Sequence, residues 1–184
     1  MEELENIRQD VLRCGACQLC QSRHNAVFGE GNPHARVMLI GEAPGEQEDL
    51  AGRPFVGRSG QLLRKMLADN GFDLERDVYI TNILKCRPPQ NRDPLPEEQD
   101  LCKNFLKRQI RSVHPKLLVC VGRIAACKII DKNFRIMRQH GELFKVGDYL
   151  ATATLHPAVI LRNKNNLPIA MDDWAKIKQL SEEL

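Results

Sequence analysis

The 184-residue sequence lacks the features that direct a chain to a membrane or a secretory pathway. No apolar stretch approaches the roughly 20 residues that a membrane-spanning helix needs. The first residues, MEELENIRQDVL, predict an acidic amphipathic helix, whereas a signal peptide begins with a basic segment and an apolar core. Internal repeats, low-complexity tracts and flexible linkers are also missing. We therefore expect a cytoplasmic protein with no membrane partner and a single domain over residues 1–184.

The sequence also lacks a strong excess of charge of either sign. Its 27 Lys and Arg residues and 24 Asp and Glu residues give a formal net charge of +3. Hydrophobic residues make up 42% and charged residues 28%, which excludes a disordered or fibrous chain. Such a charge permits a polyanionic partner without requiring one. Composition therefore indicates a globular protein and identifies no partner.

Short apolar runs alternate with amphipathic segments and predict the fold. The expected strands are VMLIG, VYITN, KLLVCVG and the run YLATATLHP, at residues 37–41, 78–82, 116–122 and 149–157. Helices are expected from an N-cap at Ser59 to a stop at Gly71, over residues 96–113, and over residues 171–180. This alternation predicts an α/β protein, a three-layer α/β/α sandwich around a four-stranded, mostly parallel sheet. In such sheets ligands bind at the carboxyl ends of the strands.

The seven cysteines fall into two groups. Five have spacings compatible with metal ligation: Cys14, Cys17, Cys20, Cys86 and Cys102. Four thiolates bind either zinc or an iron–sulfur cluster, and the ligand type does not distinguish the two. The alternative is that the later pair are buried thiols and the first three hold a labile metal or none. Cys120 and Cys127 lie within apolar runs, so we expect them in the core.

Four residues with chemically useful side chains lie at or after predicted strand ends. Glu42 directly follows the first strand, Asn82 ends the second and His156 ends the fourth. Each also has a structural interpretation, since asparagine caps turns and most histidines are not catalytic. Phe55, which looks exposed in its loop, either stacks on a base or packs its loop on the core. Glu48 belongs to an acidic loop that is ordinarily only solvated.

Several long motifs occur in one order across nearly the whole chain. They are C-x-x-C, VFGEGNP, GEAPG-x-x-ED with GRPFVGRSGQLL, TNILKCRPPQNRDP and HPAVILRN. On these motifs the sequence resembles the family 4 uracil-DNA glycosylases. The resemblance implies an enzyme that flips uracil out of DNA and hydrolyses its N-glycosidic bond. Its products are free uracil and an abasic site, from which base excision repair begins.

The resemblance also implies a cofactor. In this family the residues at Cys14, Cys17, Cys86 and Cys102 ligate a 4Fe-4S cluster with a structural role. Cys20 is then either a bystander or an alternative ligand.

For the active site, the resemblance implies catalytic roles for His156 and Glu42. His156 donates a hydrogen bond to a uracil oxygen, while Glu42 orients water or supports the positively charged sugar. Phe55 stacks on the base, Asn82 reads its edge and Glu48 excludes the thymine methyl group. The full set of expected substrate contacts is Gly41, Glu42, Ala43, Glu48, Phe55, Asn82 and His156.

The resemblance places the loop of residues 157–162 in the minor groove, where Ile160, Leu161 and Arg162 fill or clamp the gap left by the flipped nucleotide. We expect uracil-containing DNA as the partner, no obligate protein partner and a monomer. The chain also departs from the pattern. Ala43 replaces the aspartate of the best-known superfamily members, and the segment RQHG at residues 138–141 leaves the role of His140 open. No basic insertion follows the second strand, which favours hydrolysis over covalent trapping.

Two other functions are compatible with parts of this pattern. One is a non-catalytic DNA-binding or polymerase-associated module that keeps the fold, although the joint presence of Glu42, Phe55, Asn82 and His156 argues against it. The other is an iron–sulfur electron carrier, which would need no base-recognition residues. An assay for uracil release distinguishes all three.

Overall fold

A six-stranded sheet runs through the centre of the computed structural model, which describes residues 3–184. The strands are β1 Glu30–Gly31, β2 Val37–Gly41, β3 Val78–Asn82, β4 Leu117–Val121, β5 Phe144–Val146 and β6 Tyr149–Thr154. They lie in the order β1-β3-β2-β4-β6-β5. The four central strands, β3, β2, β4 and β6, run parallel to one another. The edge strands β1 and β5 pair antiparallel with β3 and β6, respectively.

The four predicted strands are therefore confirmed, but the predicted strand number is too small. The two additional strands, β1 and β5, are two and three residues long. Segments this short do not show the alternation that marks a strand in a sequence. The predicted α/β class and the parallel centre of the sheet are correct.

The helices cover both faces of the sheet. They are α1 Leu4–Leu12, α2 Leu19–Ser22, α3 Glu46–Ala51, α4 Arg58–Asp69, α5 Pro96–Val113, α6 Arg123–Ile129, α7 Ile136–Gln139, α8 Pro157–Arg162 and α9 Leu167–Glu183. The helix α5 has the predicted bounds. Ser59, the predicted N-cap of α4, lies inside that helix, because the chain turns at Gly57. Residues 1 and 2 of the predicted first helix lie outside the described residues.

Successive residues of each strand point to opposite faces, which gives two hydrophobic clusters. On one face the odd-numbered residues of β2 pack with Leu63 of α4 and Trp174 of α9. On the other face the even-numbered residues pack with Ile7 of α1 and Ile110 of α5. The sheet is thus the middle of three layers, as predicted. Within residues 3–184, none of the helices has both the length and the apolar character needed to cross a bilayer.

Burial on both faces explains the composition of the central strands. Every residue of β2, β3 and β4 is buried, which is typical of parallel strands covered by helices on each side. Because these strands are parallel, their carboxyl ends meet at one edge of the sheet. The segments that follow them form the candidate site.

Candidate active site and cysteine cavity

A cleft of about 710 Å³ opens at the carboxyl edge of the sheet. Its walls come from the segments that follow β2, β3, β4 and β6. Five of the predicted site residues line it: Glu42, Ala43, Glu48, His156 and Arg162. Its volume lies within the roughly 300–1,000 Å³ of typical ligand sites. The cleft therefore has room for an extruded base with part of its sugar.

Three other predicted residues meet behind the cleft. Gly41 and Asn82 are register partners at the ends of β2 and β3. A Cβ atom at Gly41 would overlap Asn82 Oδ1 and lie 2.6 Å from Phe55 Cζ. The Phe55 ring centroid lies 6.1 Å from that of His156. Glycine at position 41 therefore allows the amide and the aromatic ring to approach each other.

Phe55 is buried, with 6% of its surface exposed, and the prediction of an exposed ring is wrong. Its ring packs in the hydrophobic cluster formed with α4 and α9. The backbone of Phe55 has a φ of 51°, a conformation that costs non-glycine residues about 1–2 kcal/mol. This backbone conformation directs the chain inward at Phe55, a turn that hydropathy alone does not indicate.

The side chain of Asn82 is buried, and its Oδ1 has no hydrogen-bond partner among the described residues. An unpaired buried acceptor costs about 1–3 kcal/mol. A ligand N–H that reached Oδ1 would remove this cost, and solvent is excluded from the position. The geometry therefore supports ligand recognition more than turn capping.

His156 lies two residues beyond β6 and is the N-cap of α8. Its Nδ1 accepts a hydrogen bond from the N–H of Ala158 at 3.1 Å. Burial lowers the pKa of His156 to about 4; Arg162 also lowers it, whereas Glu48 raises it. The imidazole is therefore neutral near pH 7, and its single proton is on Nε2. Such a ring donates one hydrogen bond, from Nε2–H, and carries no charge.

The pKa of Glu42 is shifted in the opposite direction to that of His156. Burial raises the pKa of its carboxyl group to about 7, Asp93 raises it further and Arg123 lowers it. Asp93 and Arg123 form an ion pair of 3.6 Å at the cleft. Neither residue stands out in the sequence as a candidate for the site. Asp93 belongs to the motif TNILKCRPPQNRDP, and its place in that motif could have identified it. Arg123 follows an ordinary glycine turn, which gives no such indication.

The carboxylate of Glu48 is already bound to the protein backbone. Its Oε1 accepts hydrogen bonds from the N–H groups of Val56 and Gly57, at 2.9 and 2.8 Å. These bonds fix the segment that carries Phe55. Glu48 thus lines the cleft and also holds the loop of the aromatic ring.

Residues 157–162 form the helix α8, not the predicted loop, because proline is favoured at the first helical position. Ile160 is buried in the core with 2% of its surface exposed. Leu161 and Arg162 are on the exposed side of the helix. The expected contact of Ile160 with DNA is therefore replaced by a core contact, and the other two residues remain accessible.

A second cavity is lined by the five cysteines with metal-ligand spacing: Cys14, Cys17, Cys20, Cys86 and Cys102. All seven cysteines are free thiols. Cys120 is buried in β4 and Cys127 packs at the edge of the core on α6, as predicted. The folded chain thus brings residues 14–20 next to the segment after β3 and to α5.

Two basic residues, Arg23 and Lys85, line this cysteine cavity. The guanidinium of Arg23 donates to Cys86 Sγ and to the carbonyl oxygen of Cys14, both at 3.0 Å. In residues 3–184, no three His, Cys, Asp or Glu side chains are grouped closely enough to hold a single metal ion. A four-iron cluster binds each thiolate to a different iron and therefore needs a wider spacing. The cavity, its thiols and its cationic wall fit such a cluster.

Comparison with known proteins identifies the family. Residues 28–181 match the model of the uracil DNA glycosylase superfamily. The chain is 44% identical to a type-4 uracil-DNA glycosylase of Sulfurisphaera tokodaii, over 98% of this chain and 86% of that protein. The chain belongs to the type-4 uracil-DNA glycosylases. Type-4 enzymes of Archaeoglobus fulgidus and Thermotoga maritima are each 42% identical, over 98% and 96% of this chain and 94% of each relative.

The two departures from the uracil-DNA glycosylase pattern have definite places in the structure. Ala43 lies between the cleft and the cysteine cavity, where it packs against the cluster of Leu19, Leu84 and Cys86. It provides no acid or base to the cleft. Any activation of water at this type-4 site must therefore come from a neighbouring group.

His140 of the segment RQHG binds the last helix. Its Nδ1 lies 2.9 Å from Oδ1 of the buried Asp173, and the Thr154 hydroxyl donates to Asp173 Oδ2 at 2.8 Å. The N–H of Gly141 donates to the carbonyl oxygen of Ala153. The buried Asp173 of α9 thus binds both His140 and Thr154 of β6, which gives His140 a structural contact.

Proposed function

We propose that this protein flips uracil out of DNA and hydrolyses its N-glycosidic bond, which releases free uracil and leaves an abasic site. Its role is the first step of base excision repair. The observation that carries the proposal is the buried, unpaired Oδ1 of Asn82 beside Phe55 and His156. Relatives that are uracil-DNA glycosylases and are 42–44% identical over almost the whole chain support it.

Base loss is assisted by groups that stabilise a departing anion. Extrusion of the base from a duplex costs a few kcal/mol, which contacts in the cleft offset. The uracil then leaves with negative charge on its oxygens. The Nε2–H of neutral His156 donates to one of these oxygens, together with backbone amides near Ala43. Fixed donors of this kind commonly supply the largest catalytic contribution.

The sugar that remains carries developing positive charge. Glu42 lies in the cleft, and its carboxylate form stabilises that charge and orients the attacking water. With a pKa of about 7, a substantial fraction of Glu42 is ionised at neutral pH. Since Ala43 provides no second carboxylate, Glu42 has a supporting role, and His156 makes the larger contribution.

Base selectivity comes from the wall formed by Asn82, Phe55 and Glu48. The amide of Asn82 pairs with the polar edge of uracil, and a base with another donor pattern leaves the amide unpaired. The ring of Phe55 stacks on the base. Glu48, whose carboxylate accepts two backbone hydrogen bonds from the loop of Phe55, lies near C5 of the base and excludes the methyl group of thymine. Gly41 permits the close approach of these groups.

The DNA contacts outside the cleft involve α8. Leu161 has 39% of its surface exposed, and the side chain of Arg162 is exposed beside it. We assign Leu161 to the gap left by the flipped nucleotide and Arg162 to a neighbouring phosphate. The protein acts on uracil-containing DNA as a monomer, with one domain and no obligate protein partner.

The cofactor of this proposal is a 4Fe-4S cluster held by Cys14, Cys17, Cys86 and Cys102. When bound, the cluster supplies a covalent link between the N-terminal segment, the segment after β3 and α5. Arg23 offsets the negative charge of the thiolates through its bond to Cys86. Cys20 lines the same cavity and is assigned no ligand role.

The proposed function is tested with a labelled duplex that contains one uracil. The purified protein should release free uracil and leave an alkali-labile abasic site. A matched duplex with thymine at the same position should remain intact. Binding of the uracil duplex without base release would instead support a non-catalytic DNA-binding module, and redox cycling without release would support an electron carrier.

A further inference from the structure

Lys85 is a fully buried lysine between the cysteine cavity and the base-reading residues. Only 1% of its surface is exposed. Among the described residues it forms no salt bridge with a carboxylate, although a buried ammonium is normally paired. The two cysteines whose charge would act on its ammonium, Cys102 and Cys86, both line the cysteine cavity.

The side chain of Lys85 binds the end of β3. Its Nζ donates to the carbonyl oxygen of Asn82 and to the hydroxyl of Thr81, each at 2.7 Å. Thr81 in turn donates to the carbonyl oxygen of Phe28 at 2.8 Å. These bonds fix the backbone of Asn82 from the face opposite to its side chain.

The backbone of Lys85 contacts residues of the cysteine cavity. Its amide lies against Cys102 and lowers the pKa of that thiol, which burial raises, and Cys86 is the next residue in the chain. Its carbonyl oxygen accepts a 2.7 Å bond from the N–H of Val27. One residue therefore contacts a cysteine of the cavity through its backbone and Asn82 through its side chain.

We propose that Lys85 is a positioning residue that couples the occupied cysteine site to uracil recognition by holding Asn82. The inference rests on the proposed function, since it assumes that Asn82 reads uracil and that the cavity holds the cluster. The cluster thiolates offset the buried ammonium, and the ammonium fixes the Asn82 backbone. The unpaired Oδ1 of Asn82 is thereby aimed at the base with little freedom to move.

The test compares Lys85→Met, which keeps the length and apolar stem of the side chain, with Lys65→Met as a control. Lys65 is an exposed lysine paired with Asp69 on α4. The measurements are iron content, single-turnover uracil release, the Kd for free uracil and discrimination between uracil and cytosine. We also measure the reduction potential of the cluster.

Lys85→Met should retain iron and release uracil about 10- to 100-fold more slowly, the usual cost of removing a group that orients a site. Its Kd for uracil should rise, its discrimination against cytosine should fall, and the cluster potential should become more negative. Lys65→Met should match the wild type throughout. A Lys85→Met protein with wild-type uracil affinity and discrimination would overturn the inference, even if its rate were lower.

If Lys85→Met loses iron or does not fold, Lys85→Gln decides the question. Glutamine retains one donor but lacks the charge and the second bond. Iron-loaded Lys85→Gln should bind uracil more weakly than the wild type and discriminate less well. If this variant equals the wild type in both measurements, the inference is wrong and the proposed function is unaffected. A wild type that releases no uracil would overturn the proposed function and this inference with it.

Discussion

The backbone N–H of Ala158 donates a hydrogen bond of 3.1 Å to Nδ1 of His156. Because an amide N–H is always a donor, this nitrogen of the ring must be an acceptor. The first turn of α8 thus sets the tautomer of the residue that precedes it. This relationship makes His156 a neutral donor in the cleft and leads to the first prediction.

His156→Ala should lower single-turnover uracil release by about 100- to 1,000-fold, the usual cost of losing one donor to a developing anion. Binding to an abasic-site duplex should stay within a few-fold of the wild type. Glu42→Gln should cost less, and His34→Ala, at an exposed histidine, should cost nothing. A larger loss in Glu42→Gln than in His156→Ala would reverse the two roles.

The pH dependence of the rate should report the carboxyl group of Glu42. Its pKa of about 7 means that the carboxylate forms as the pH rises through 7, so single-turnover release should increase and then level off. Asp93→Asn should move this inflection to lower pH, because it removes a like charge. Arg123→Met should move it to higher pH. An identical inflection in Glu42→Gln would assign the titration to another group.

The stability of the fold should also depend on the carboxyl group of Glu42. It should fall as the pH rises, whereas the rate increases. The folded pKa of about 7 lies above the reference value of 4.5, so between these values the folded state binds a proton that the unfolded state has released. The contribution of Glu42 to the free energy of unfolding is therefore complete below pH 4.5 and is lost as the pH rises through 7. Urea titrations of the wild type and Glu42→Gln should show a flatter pH dependence in the variant.

Cys102→Ala should lose the iron of the purified protein and its visible absorbance, because a cluster with three thiolates is poorly held. Cys20→Ala and Cys127→Ala should retain both, since the first is not among the proposed ligands, although it lines the cavity, and the second lies on α6. Iron and sulfide analysis measures the result. Full iron in Cys102→Ala together with iron loss in Cys20→Ala would exchange the two assignments.

Asn82→Ala should reduce uracil release and relax selectivity against cytosine, because the polar edge of the base loses its partner. The control is Thr152→Val in β6, which removes a buried hydroxyl that also has no partner in the described structure. This variant should keep wild-type activity. Selectivity is measured as the ratio of the release rates for uracil and cytosine in one sequence context. An unchanged ratio in Asn82→Ala would remove this residue from base recognition.

The neighbours Ile160 and Leu161 should respond differently to alanine. Ile160→Ala removes a core side chain and should lower the free energy of unfolding by about 2–5 kcal/mol. Leu161→Ala should leave stability nearly unchanged and reduce release from duplex DNA more than from single strands. Leu143→Ala, at an exposed leucine near β5, is the control for surface truncation. Equal duplex and single-strand effects in Leu161→Ala would exclude a gap-filling role.

The parts of the fold that the sequence predicted are those with long hydrophobic patterns. The strands β2 and β3 and the helix α5 have the predicted bounds, because each buries a continuous run or a complete helical face. The edge strands β1 and β5 were missed, since two or three residues show no periodicity. The helix α8 was interpreted as a loop because Pro157 ends a strand as readily as it begins a helix.

The sequence predicted which residues form the site. It predicted their burial and their charged neighbours less well. Glu42, Asn82 and His156 follow strands, and strand ends are readable from hydropathy. The inward turn of Phe55 depends on a backbone angle that residue type does not reveal. The charges of Asp93 and Arg123 reach Glu42 only after distant segments fold together, so the pKa of Glu42 was not accessible from the sequence.

The fit around Gly41 has a consequence for the mutational tolerance of this protein. Every single-base change that replaces a glycine codon introduces either a side chain or a stop codon, and the smallest of these side chains already adds the Cβ that overlaps Asn82. The neighbouring ring of Phe55 is buried in the hydrophobic cluster formed with α4 and α9. The gene for this protein thus contains a position at which no missense change is expected to be neutral, because one hydrogen atom is all that the packing allows there.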